Sequence, residues 1–177
     1  MRRVLADFYP ELFSINEPGT LDGGDVCQAG NNFFIGLSER TNEAGAQQLA
    51  DLLAPLGYAS TFVDIRKIDG LLHLKSGLAY LGDRLVITEE LYDGLASESH
   101  TNGLRYDHLF TDFALVRLDS EQAYAANCIR VNDYVLLAAG YRSFEKRLRE
   151  FGYQTIALEM SEFQKMDGGL SCLSLRF

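Results

Sequence analysis

Residues 132–160 read NDYVLLAAGYRSFEKRLREFGYQTIALEM, and residues 31–65 read NNFFIGLSERTNEAGAQQLADLLAPLGYASTFVDI. The two stretches follow one plan, and that plan decides the fold. Each opens on asparagine and a short aromatic or branched run, Tyr134 to Ala138 and Phe33 to Leu37, of the kind that fills a buried strand. Each then enters a helix. In the later copy Ser143 and Glu145 suit the helix start, Phe144, Leu148 and Phe151 form an apolar face, and Gly152 supplies a left-handed stop. In the earlier copy Thr41 is the expected cap, Glu43 favours the positive end of the helix, and Ala46, Leu49, Leu53 and Leu56 recur at helical spacing before Gly57. Both helices finish in Gly-Tyr and give way to another extended run, Ser60 to Ile65 and Thr155 to Leu158.

Beyond each run lies an acid-glycine step. Lys67-Ile68-Asp69-Gly70 matches Lys165-Met166-Asp167-Gly168, and the match carries LLHLKS onto LSCLS with a one-residue adjustment. His73 and Cys172 thereby fall at corresponding places, on what read as symmetry-related strands, with Cys172 on a terminal one. A third step, Asp22-Gly23-Gly24-Asp25, precedes a strand containing Val26 and Cys27. The period is longer and less regular than that of the common solenoids. The expectation is an α/β fold with internal pseudo-symmetry. Residues 89–120 lack periodicity and read as an irregular excursion or a degenerate module; with no Pro/Ser-rich linker, 1–177 is expected to form one domain.

The chain has 177 residues, enough for a substantial core, and a formal net charge of −9. That charge argues against a nucleic-acid binder, which needs a basic patch to neutralise phosphates. It suits a small cationic substrate, although net charge speaks first to solubility and long-range steering. No stretch approaches the ~20 apolar residues of a membrane span. The opening MRRVLADFYPEL lacks the pattern of a secretory signal, so a cytoplasmic location is expected. Three widely spaced cysteines, Cys27, Cys128 and Cys172, are expected to stay reduced.

Several residues admit both a structural and a chemical reading. Cys172 is a packed thiol on spacing alone, and a nucleophile if its equivalence to His73 brings thiol and imidazole to one end of the fold. His73, between two leucines, is a satisfied core histidine or a proton carrier for a leaving amine. Asp22 and Asp25 flank two glycines as in an ordinary tight turn, or as in a loop that brings backbone and carboxylate up to a guanidinium. Arg40 is a solvated residue ahead of a helix, or the holder of an anionic substrate group. Cys27 and Cys128 are taken as packed thiols. His100 and His108 have no cysteine or histidine at metal-ligand spacing, so no metal site is expected.

The segments EPGTLDGGDV, FFIGLSERTNEAGAQQL, LHLKSGLAYL, YAANCIRVN, AAGYRSFEKRLREFGY and SEFQKMDGGLSCLSLRF together resemble a dimethylarginine dimethylaminohydrolase, from about Arg2 to Phe177. More distantly they resemble the arginine deiminases and amidinotransferases of the same guanidine-modifying superfamily. The resemblance implies the pentein fold, an α/β propeller of ββαβ modules around a central active site. It also implies roles: Cys172 as nucleophile, His73 as general acid and base, Asp22 as the acid orienting the histidine or the guanidinium, and Arg40 as the contact for the substrate carboxylate. Asp25 joins the substrate-binding set, with Met166 and Asp167 forming the wall near the α-amino group. No cofactor is implied. Family members carry further modules before the position matching Arg2, so the resemblance implies a partial ring lacking its N-terminal modules: a truncated piece of a full enzyme, a ring completed by self-association or another chain, or a remnant that keeps the fold without the activity. An inactive or partner-dependent fragment that binds guanidino compounds, and a deiminase-like hydrolase, stay open as alternatives. Against the latter, His73-Leu74-Lys75-Ser76-Gly77 lacks the acid that follows the deiminase histidine.

Overall fold

Three times along the chain, a two-strand hairpin leads into a helix and a third strand that returns parallel to the second. This is seen in a computed structural model that describes residues 2–102 and 109–174. A short helix α1 (Arg2–Ala6) comes first. The first module is β1 (Val26–Ala29), β2 (Asn32–Leu37), α2 (Glu43–Leu53) and β3 (Ala59–Asp64). A single-turn helix α3 (Leu74–Gly77) leads into the second, made of β4 (Leu78–Tyr80), β5 (Arg84–Thr88), α4 (Glu89–Asn102) and β6 (Ala114–Leu118). The third comprises β7 (Ile129–Val131), β8 (Tyr134–Ala138), α5 (Arg142–Glu150) and β9 (Gln154–Leu158), followed by α6 (Ser161–Gln164).

Local chemistry explains the shared plan. Two-residue hairpins that match the strand twist need a left-handed residue, supplied by Gly30 (φ 60°), Gly82 (φ 99°) and Asn132 (φ 54°). The antiparallel register runs from Val26 opposite Ile35 in the first hairpin and from Ile129 opposite Leu136 in the third. A parallel partner cannot be reached by a tight turn, so the helix serves as the crossover. β3, β6 and β9 thus pair in parallel with β2, β5 and β8.

The centre strands carry the core, with Phe34, Ile35, Leu85, Val86, Ile87, Val135 and Leu137 all at most 1% exposed. One apolar cluster joins the first and second modules through Phe34, Val63, Leu74, Leu78, Leu85 and Leu91. Another joins the second and third through Leu81, Val86, Val116, Val135, Phe144 and Leu148. Each such side chain contributes about 1.5–3 kcal/mol on burial. β4 lies against both β1 and β7, so the first strands of the modules run side by side.

Several sequence expectations change. The segment read as an excursion or a degenerate module supplies the helix and last strand of the second module, with α4 and β6 in the places of α2 and β3. The cap of α2 is Asn42, whose side chain accepts from the Gly45 amide; Thr41 is buried and engaged elsewhere. Ser143 lies inside α5, which begins without a side-chain cap. Leu56 is exposed beyond the end of α2, and Phe151 is exposed with the Arg84 guanidinium 4.3 Å from its ring centroid. Gly57 and Gly152 adopt the expected left-handed conformation. Among the described residues, no helix is long and apolar enough to cross a membrane.

Candidate active site

The segment entering β1 turns sharply, and the turn is built by Asp22. Its extended backbone and side chain cap a single 3-10 turn at Gly23–Asp25, with Oδ1 accepting from the Gly24 amide at 2.8 Å. That hydrogen bond is the main reason the Asp22 carboxyl titrates below the ordinary range; partial burial opposes it, and His73 and then Arg40 reinforce it. The free oxygen Oδ2 faces the His73 ring, 3.3 Å from Nε2.

His73 is not on a strand. It is the extended residue just ahead of α3, with a side chain only 13% exposed. Gly24 lies against the ring, since a Cβ built there would sit 2.7 Å from His73 Cγ and Cδ2. Arg40 reaches in from the tight link between β2 and α2, its Nη1 lying 3.2 Å from His73 Nε2 and 3.9 Å from Asp22 Oδ2. One nitrogen thus stands between a donor and an acceptor. Unprotonated, Nε2 accepts from Arg40; protonated, it donates to Asp22.

Asp25, expected among the substrate contacts, is fully buried with both carboxylate oxygens engaged by protein donors. That expectation is corrected: no surface of Asp25 faces solvent.

Cys172, Met166 and Asp167 sit on the segment leaving the third module. The described residues around Cys172 form successive turns rather than a terminal strand, with the amides of Cys172 and Leu173 both donating to Gly169 O. Leu170 anchors these turns in a small core with Ala138 and Met160. Two side chains that sequence reasoning missed hold the approach. Asn127 Oδ1 accepts from the Ser171 amide at 2.9 Å, and Tyr124 donates its hydroxyl to Gly168 O at 2.7 Å. Gly169 has no room for a Cβ beside Asn127. Tyr124 is pushed up chiefly by burial and also by the nearby charges of Tyr141 and Cys172.

The Cys172 thiol is exposed, whereas Cys27 and Cys128 are buried, and burial pushes Cys128 up to about 12. Met166 is 84% exposed and Asp167 adopts a left-handed backbone at φ 54°. Among the described residues, no hydrogen bond or ion pair joins Cys172 to His73. Their segments share a cleft of about 420 Å³, lined by Leu71 and Leu72 near His73, by Asp167 and Gly169 near Cys172, and by Tyr124 and Asn127; neither His73 nor Cys172 itself lines it. His108 lies outside the described residues, as does any account of the His100 side chain. Among the described residues, no group of three or more His, Cys, Asp or Glu is placed to hold a metal ion.

The chain is an α/β protein of repeated ββαβ modules that brings an acid, an imidazole and an arginine together and carries an exposed cysteine on the segment beyond the third module. No family model matches the chain. The N(G),N(G)-dimethylarginine dimethylaminohydrolase of Pseudomonas aeruginosa is 38% identical over 176 residues, which cover 96% of this chain and 61% of that protein. The enzyme of the same name from Streptomyces coelicolor is 34% identical over 160 residues, covering 90% and 55%. In sequence and fold the chain is similar to the dimethylarginine dimethylaminohydrolases. The solved Pseudomonas aeruginosa enzyme, a cysteine-to-serine mutant complexed with citrulline, superimposes with a TM-score of 0.86 at 36% identity over 99% of this chain and 64% of that one. A histidine-to-glycine mutant of a dimethylarginine dimethylaminohydrolase, an adduct with S-methyl-L-thiocitrulline, gives 0.84 at 36% identity over the same shares. An arginine dihydrolase from cyanobacteria shares the fold, with a TM-score of 0.78 at 20% identity over 99% of this chain and 27% of that one. The chain thus spans about three-fifths of the length of the relatives it matches.

Proposed function

We propose that this chain carries the reaction centre for hydrolysis of N-omega-methylated arginine to citrulline and dimethylamine or methylamine. The observation that carries the reading is the meeting of Asp22 and Arg40 at His73 Nε2, with the exposed Cys172 on a segment that shares a cleft with the His73 segment. In this mechanism the Cys172 thiolate adds to the guanidinium carbon, and the methylated amine leaves with a proton delivered by His73. The thiouronium adduct then takes up water, activated by His73, and the C–S bond breaks to give citrulline and the free thiol. Splitting one hard displacement into two easier ones is the gain of covalent catalysis.

Asp22, held ionised by its cap, gives the His73 ring a hydrogen-bond acceptor in the first step. Arg40 meets His73 and Asp22 through Nη1, which leaves the rest of its fork for the substrate carboxylate. Asp167 lines the cleft and Met166 adjoins it, which suits the wall near the α-amino group. The substrate is thus a small guanidino cation. We further propose that residues 1–177 act as one domain in the cytoplasm, without a nucleic-acid partner.

A second reading is a chain that binds guanidino compounds and turns them over only when self-association or another chain completes the site. The lack of a direct hydrogen bond between Cys172 and His73 favours it. Citrulline release from asymmetric dimethylarginine, with arginine as a competing substrate and Cys172→Ser as control, tests the first. Release that depends on Cys172 and on methylation supports it; no release from folded chain overturns it. Release that rises more steeply than protein concentration supports the second.

A further inference from the structure

Asp25 is 0% exposed, yet three donors converge on its carboxylate. Ser38 Oγ and Thr41 Oγ1 each donate to Oδ2 at 2.7 Å, and the Leu74 amide donates to Oδ1 at 3.0 Å. None of the three donors belongs to the site, but each is one link from a residue that does. Ser38 Oγ accepts from the Arg40 amide at 3.0 Å and from the Thr41 amide at 3.1 Å. Thr41 Oγ1 accepts from the Asp22 amide at 2.9 Å. Leu74 directly follows His73. Three chain segments that are distant in sequence therefore take their relative places from one carboxylate.

We propose that Asp25 is the positioning residue that sets Asp22, Arg40 and His73 against one another, an inference that rests on reading those three as the working polar group of the site. Only an acceptor-only side chain serves all three donors, because a buried amide in its place presents one oxygen and turns its NH2 toward either the two hydroxyls or the Leu74 amide. Burying a charge has a large desolvation cost, and an apolar residue of similar size would fill the space without it. The backbone has been cleared for the carboxylate: a Cβ on Gly36 would lie 3.3 Å from Asp25 Oδ1 and 2.9 Å from Leu74 Cβ. The working groups of a site must be held to roughly 0.5 Å, which separate flexible loops do not provide.

The test uses the whole chain labelled with ¹⁵N-histidine, with the His73 ring resonances assigned through His73→Gln. Asp25→Asn, Thr41→Val, Thr41→Ser and the remote core variant Leu148→Ala are compared by imidazole NMR across a pH titration, alongside thermal melts. Asp25→Asn and Thr41→Val are expected to move the His73 resonances and its titration midpoint; Thr41→Ser restores the parental signature, and Leu148→Ala leaves it in place despite lowering the melt. If the hydrolysis above holds, Thr41→Val also lowers kcat by about 10²-fold, the order expected of a misplaced site. The NMR readout needs no turnover, so an inactive chain still decides the point. Resonances that stay put in Asp25→Asn and Thr41→Val, or that move equally in Leu148→Ala, overturn the proposal. Should Asp25→Asn not fold, Asp25→Glu replaces it, since Thr41 Oγ1 also accepts directly from the Asp22 amide; His73 resonances that stay put in a folded Asp25→Glu overturn the proposal.

Discussion

A methyl group on Gly24 would stand 2.7 Å from two atoms of the His73 ring, closer than any real contact. Gly24→Ala must therefore push the imidazole off Asp22 and Arg40, and we expect turnover to fall by about 10²-fold with little change in melting temperature. Steady-state kinetics beside a thermal melt checks this. Asp22 gives a pH signature of definite sign. Its carboxyl titrates below the ordinary aspartate range in the folded chain, so the stability it contributes is present above the unfolded value and is lost as pH falls through the lower folded one. Asp22→Asn should thus cost stability at neutral pH, by less than about 1 kcal/mol for a side chain this exposed, and nothing in strong acid. Melts of both proteins at the two pH values measure the difference. At this scale Asp22, Arg40 and His73 were legible because the acid-glycine step and the residues after β2 carry them in recognisable strings. The role of Asp25 was not, since a carboxylate beside two glycines reads alike whether it faces ligand or core. Ser38 and Thr41 were hidden for a related reason: a hydroxyl ahead of a helix is expected to cap it, and here Asn42 does so.

Helix α2 illustrates how tertiary contact overrides propensity. Asn42 Oδ1 accepts from both the Gly45 and Thr20 amides, while its Nδ2 donates to Pro18 O at 2.8 Å, pinning the first turn to the incoming chain. Gly45 touches that chain so closely that a Cβ would collide with the Thr20 carbonyl. Intrinsic propensity favours alanine over glycine inside a helix by about 1 kcal/mol. Gly45→Ala should nonetheless destabilise the protein, by about 1–3 kcal/mol as overpacking does, read as a lower urea midpoint. The strands of the first and third modules lay open in the sequence because branched and aromatic runs bounded by asparagine and glycine are strong signals. The middle module was obscured because, among its described side chains, α4 buries Leu91 and Leu95 along a largely polar stretch, too sparse a stripe to mark a helix. The Cys172 segment misled in the opposite way. Its alternating residues imitate a strand, but Asn127 and Tyr124 take its backbone partners and fold it into turns.

On the scale of the whole molecule, the middle module is the one flanked on both sides. Leu78, Leu85 and Ile87 pack toward the first module while Leu81, Val86 and Val116 pack toward the third. Polar ties add to the second seam, with Arg130 donating to Leu81 O and Tyr153 donating to Asp83. Amide hydrogen exchange should accordingly be slowest at Val86 and Ile87, where only global unfolding frees the backbone, and faster in β3 and β9. Equal protection across all three sheets would show the modules opening as one. The proposed reaction centre is distributed differently from this protection. Asp22 and Arg40 ride on the first module and Cys172 on the segment beyond the third, so if exchange follows that order in these 177 residues, the chemistry is held together by parts that open before the middle module. A stress too mild to register in the bulk spectroscopic signal would already part the acid from the thiol, and such a protein can be silenced long before it is denatured.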